Sequence, residues 1–97
     1  MIGTTFYGPI LARGGSEGEF SVVIDQLRGH RPVFACQVEH RDKDSRDWET
    51  AATTSPFSAP GMTTLVVRDL REEIRVAYVL GPGATGSFKP LRPVWRP

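Results

Sequence analysis

Cys36 and His40 are the residues of this chain whose types could make a nucleophile and its base. Such chemistry needs the base within hydrogen-bond reach of the thiol. Phe34-Ala35-Cys36-Gln37-Val38-Glu39-His40 alternates apolar and polar residues, so it reads as one strand with a single buried face. Four residues of strand, at about 3.3 Å each, hold the two Cα atoms roughly 13 Å apart. That separation is too long for the bond. Cys36 also shares its face with Phe34 and Val38, where an inert buried thiol is expected. His30 lies in a different segment from His40, and neither has a Cys or carboxylate companion at zinc spacing.

The acidic candidate is Arg41-Asp42-Lys43-Asp44-Ser45-Arg46-Asp47, with Glu49 just beyond. A helix–loop–helix calcium site requires oxygen ligands at alternate positions, a mid-loop Gly and a closing bidentate Glu. Ser45-Arg46 stands where Asp or Asn and Gly would be needed, and Arg41, Lys43 and Arg46 are interleaved with the carboxylates. A solvated tip that neutralises itself is the expectation, with no metal. Gly81-Pro82-Gly83-Ala84-Thr85-Gly86 follows a strand but leads neither to a helix nor to Gly-Lys-Ser/Thr, so it reads as a turn and not a phosphate cradle. No cofactor is expected.

Two tryptophans are surface candidates. Trp48 beside the charged tip reads either as core edge or as part of a sugar-stacking platform, with Phe57 as its obvious aromatic companion. The end of the chain, Lys89-Pro90-Leu91-Arg92-Pro93-Val94-Trp95-Arg96-Pro97, is basic and Pro-rich. Its Pro-x-x-Pro spacing suits an extended ligand segment. The competing reading packs Leu91, Val94 and Trp95 onto the domain. Tryptophan and arginine are also the residues most enriched at interface hot spots. The candidate partner contacts are therefore Asp42, Lys43, Asp44, Arg46, Trp48, Arg92, Trp95 and Arg96.

The elements that must position these residues are short strands. Gly (10) and Pro (8) punctuate the chain closely, from Gly8-Pro9 and Gly14-Gly15 to Pro60-Gly61 and Gly86. Strands are predicted over residues 4–11, 19–27, 33–40, 48–53, 63–68, 74–80 and 87–91. Phe20/Val22/Ile24, Phe34/Cys36/Val38, Leu65/Val67 and Ile74/Val76/Tyr78/Leu80 supply the inward rows. The charged tip makes a hairpin of the third and fourth strands, and one helical turn is allowed near Arg71. Seven strands in about 90 residues predict an all-β fold, a single immunoglobulin-like or fibronectin-type sandwich of antiparallel strands spanning 1–97, with segment 89–97 as its Pro-rich end.

Composition narrows the partners. The chain has 97 residues, 39% of them apolar and 24% charged, and a net charge of +1. This suits one soluble domain with neither a nucleic-acid footprint nor an electrostatic pull towards membrane. Residues 1–60 carry six basic and eight acidic side chains, and residues 61–97 carry six and three. That bias can orient docking. Cys36 is the one cysteine, so packing and hydrogen bonds must hold the fold without a disulfide, as in reducing cytosol. With no leader-like start and no run approaching about 20 apolar residues, cytoplasmic synthesis is expected.

The run from Val38 to Glu49, then Pro60-Gly61-Met62, then Asp69 to Tyr78, and the ending Leu91-Arg92-Pro93-Val94-Trp95-Arg96 together resemble small virion structural proteins of tailed bacteriophages. The likeness covers residues 33–97. It implies an immunoglobulin-like module that decorates or cements the head, located in the virion after synthesis in the host cytoplasm. Its implied partners are the major capsid protein, other virion proteins and its own copies. A looser similarity to fibronectin type III domains lies in the strand before Tyr78; Leu70, eight residues earlier, is not at tyrosine-corner spacing. The rival class is an adhesion or carbohydrate-binding module of a phage fibre or bacterial surface assembly. A small enzyme would need polar groups converging from separate strands.

Overall fold

Alternating side chains can be buried on one face only if a second layer covers that face, and two sheets do this here. In a computed structural model of the chain, residues 4–12, 17–29 and 31–96 are described; His30 and the Gly14-Gly15 turn lie outside them. The strands in chain order are β1 (Thr4–Tyr7), β2 (Glu17–Arg28), β3 (Phe34–Arg41), β4 (Glu49–Thr53), β5 (Gly61–Val67), β6 (Glu73–Leu80), β7 (Thr85–Pro90) and β8 (Val94–Arg96). The described residues contain no helix. Near Arg71 the chain turns through Asp69, which has φ 55°, rather than through a helical turn.

One sheet runs β1-β6-β3-β4; the other runs β5-β2-β7, with β8 also on β2. Every pairing is antiparallel. The fold is the expected β-sandwich, with eight strands instead of seven. The extra strand is β8: pairing with β2 stops at Pro90 and resumes at Val94. Proline donates no ladder hydrogen bond, so Pro90 and Pro93 divide what would otherwise be one long edge.

Immunoglobulin constant domains join the second and fifth strands in one sheet and the third and sixth in the other. Here those pairs are β2–β5 and β3–β6. The other strands differ: β1 lies beside β6, β4 beside β3 and β7 beside β2, so the first, fourth and seventh strands each sit in the opposite layer.

Phe20, Val22 and Ile24 of β2 face Phe34, Cys36 and Val38 of β3 and Ile74, Val76, Tyr78 and Leu80 of β6, and all are buried. Each large apolar side chain so buried contributes roughly 1.5–3 kcal/mol. Phe88 stacks on Tyr78 at 4.9 Å and meets Phe34 at 5.2 Å and Phe6 at 5.8 Å, tying both ends of the chain to the core. Leu70 plugs one end of the sandwich from the β5–β6 turn, at 2% exposure. Gly18 lies opposite Trp95 in register. A Cβ there would come within 2.7 Å of the Phe20 ring and 3.1 Å of Trp95, so only glycine leaves room for both aromatics.

Candidate functional site

The inward apolar rows of β3 and β6 send Glu39 and Arg41, and Glu73 and Arg75, to the outer face. The antiparallel register sets Glu39 opposite Arg75 and Arg41 opposite Glu73. Both pairs close: Arg75 Nε lies 2.7 Å from Glu39 Oε1, and Arg41 Nε lies 2.9 Å from Glu73 Oε1. A guanidinium can donate in its plane to a carboxylate while its face meets an aromatic ring. Both arginines do so. The Trp48 ring centre is 4.2 Å from the Arg41 guanidinium and 4.4 Å from that of Arg75, which is also 4.1 Å from Tyr7. The row Tyr7–Arg75–Trp48–Arg41 thus crosses the sheet from β1 to the start of β4. Contacts of this type contribute about 0.5–1 kcal/mol each at exposed sites.

The charged tip projects from one end of this row. Within it, the Ser45 N–H donates to the Asp42 carbonyl at 2.9 Å and closes the turn. Arg71, from the β5–β6 turn, reaches Glu49 at 3.1 Å and Asp42 at 3.7 Å. The Lys43 N–H donates to Glu72 at 3.3 Å, and the Arg71 N–H donates to His40 Nδ1 at 3.2 Å. Neutralisation therefore comes mainly from a neighbouring turn, because Arg41 is directed along the sheet face to Glu73. Among the described residues no three acidic, His or Cys side chains gather as a metal site. Lys43, Asp44 and Arg46 stand exposed, and no described residue makes an ion pair with their side chains.

Trp48 is thus half-buried on the outer face and is not core edge. Phe57 does not join it: its backbone pairs with Phe34, at the opposite end of β3 from Arg41. Along that strand the separation is roughly 23 Å.

The chain end lies along β2. Trp95 meets the Phe20 ring edge-on at 5.5 Å and is half-buried, whereas Val94 and Leu91 are exposed. Of the three residues expected to pack there, only Trp95 packs against the core. Arg96 approaches Glu17 and Glu19, each at 3.8 Å, and the Leu91 N–H donates to the Ser21 carbonyl at 2.9 Å. The Pro-x-x-Pro segment is consequently part of the sheet edge. Arg92 is one of the residues lining a cavity of about 270 Å³, together with Leu11, Phe20, Cys36, Val76 and Tyr78 among others. Burial pushes the Cys36 thiol up to about 11, and burial together with Cys36 raises Tyr78 to about 12. A thiol held so far from ionisation makes a poor nucleophile.

The eight candidate contacts therefore divide. Asp42, Lys43, Asp44, Arg46 and Trp48 gather at one end of the β1-β6-β3-β4 sheet, while Arg92, Trp95 and Arg96 belong to the edge of the other sheet. Tyr7, Arg75, Glu39, Glu73 and Arg71 were missed as parts of the site. For Glu39, Glu73 and Arg75 the one sequence signal is Glu-x-Arg on the polar faces of two strands, residues 39–41 and 73–75, which become complementary only when those strands pair antiparallel; Tyr7 and Arg71 carry none.

Fold and site together define a β-sandwich whose charged hairpin tip is braced by an aromatic–guanidinium row. No protein-family profile, curated protein or solved structure matches the chain.

Proposed function

We propose that this protein is a non-enzymatic structural component of a tailed-bacteriophage virion, which decorates or cements the capsid by contacting capsid protein and its own copies. Two things support the reading: the resemblance of residues 33–97 to such proteins, and the braced tip. The tip is the observation that carries a contact surface. Lys43, Asp44 and Arg46 are offered to solvent on a hairpin held by Arg71, Glu72 and the Trp48 row. A pre-ordered surface loses less conformational entropy on docking. Repeated over a lattice, modest contacts per copy sum through avidity.

The glycan alternative gains no support from the aromatics. Two guanidinium groups already engage the Trp48 ring, and Phe57 lies at the far end of β3.

Replacing Lys43, Asp44 and Arg46 together with alanine tests the reading. The expected result is an unchanged unfolding midpoint and at least about a tenfold loss in binding to protein-depleted particles, equivalent to 1.4 kcal/mol. Unchanged particle binding would remove the tip from the contact surface.

A further inference from the structure

Three of the sandwich's four sheet edges carry features that discourage pairing with another chain. Among the described residues β1 has four. β4 has five, and its register with β3 slips between Val38 and Glu39. The β7–β8 edge breaks between Pro90 and Val94, and its register with β2 slips between Ile24 and Gln26. Short strands, bulges and prolines are the usual protections of an open edge.

β5 has none of them. Its seven residues, Gly61-Met62-Thr63-Thr64-Leu65-Val66-Val67, contain no charge and no proline and pair with β2 in unbroken register. No described residue outside β2 bonds to its backbone. On its outer face Met62 is 64% and Val66 54% exposed. An uncharged, apolar, regular edge of this length is a template for another strand.

We propose that β5 pairs with β5 of a second copy, antiparallel about a two-fold axis at Thr64. The strand is complementary to itself in that register. Met62 falls opposite Val66, Thr63 opposite Leu65, and Thr64 opposite Thr64. Facing residues differ by an even number of positions, so their side chains share a face and their backbone groups point the same way. The nearest flanking charges, Arg68 and Asp69, fall opposite Pro60 and Ala59, so no like charges meet. A single-sign or strongly charged partner strand would find nothing on β5 to pair with. The two-fold pairing sets Met62 of each copy beside Val66 of the other and continues the β7-β2-β5 sheet across the axis. It is isologous, and so closes at two copies.

The test uses the purified full chain, without particles, so its outcome is independent of the virion reading. Sedimentation should show a monomer–dimer equilibrium that rises with concentration and stops at two copies. Thr64→Lys places two ammonium groups against each other across the axis and should weaken association at least about tenfold. Thr64→Glu should do the same, and an equimolar mixture of the two variants should restore the dimer. Thr64→Cys should form an interchain disulfide under mild oxidation far faster than Thr5→Cys on β1, with native Cys36 buried and out of the exchange. A wild type that is monomeric at every concentration, growth past two copies, no rescue on mixing, or equal cross-linking at the two positions would each overturn the proposal.

Discussion

Trp48 illustrates how a residue can be half-buried without belonging to a core. Its ring rests on two arginines whose charges are already paired with Glu39 and Glu73, so four charged side chains and two aromatics share one outer surface. Trp48→Ala should lose about 2 kcal/mol, from two cation–π contacts and the apolar area they cover. Urea unfolding would show this as a lower midpoint with an unchanged slope. Trp48→Phe, which keeps a ring, should recover part of it. Cys36 and Tyr78 set a second expectation. Both have folded values above their ordinary ones, 9.0 moving to about 11 and 10.0 to about 12. Groups raised in this way stabilise the fold fully below the ordinary value, and that contribution disappears as pH rises through the folded value. Stability should therefore be flat with respect to these two groups up to about pH 9 and fall between pH 9 and 12, by roughly 2–3 kcal/mol for the thiol alone. In Cys36→Ala the decline should begin about one pH unit later, which equilibrium unfolding over that range would reveal.

At the scale of elements, the strands were legible where one face is buried. The rows Phe20/Val22/Ile24, Phe34/Cys36/Val38 and Ile74/Val76/Tyr78/Leu80 alternate in sequence because they alternate between core and surface, and all are buried. β8 was not legible: it has three residues, follows Pro93, and gains its pairing from the long β2 instead of its own pattern. The exchange of β1 and β7 between layers was equally hidden, since neither the four residues of β1 nor the six of β7 include a buried one that would prefer a sheet. Within the candidate site the tip was evident from its charge run. Its braces Arg71 and Arg75 were not, because they come from the β5–β6 connection and from β6, and act only once β3 and β6 are in register. Truncation after Pro90 tests the role of β8. It removes Trp95 from Phe20 and Gly18, and should cost about 2 kcal/mol of stability for a half-buried tryptophan. An unfolding midpoint equal to that of the whole chain would show that β8 contributes nothing to the sandwich.

Seen as a whole molecule, the sandwich offers two distinct surfaces, one on each of its sheets and both on the side where edge strands β4 and β5 come together. One is the braced tip on the β1-β6-β3-β4 sheet; the other is the unprotected β5 edge. On the proposed reading, one of these surfaces would meet the shell and the other a neighbouring copy. Each can be weak alone, since repetition multiplies it. The central claim is that the protein is part of the particle. Quantitative mass spectrometry of gradient-purified, intact virions measures this most directly. The account predicts the protein in a fixed, lattice-scale ratio to the major capsid protein, retained through repeated banding. Its absence from the particles, while present in the infected-cell lysate, would contradict the account.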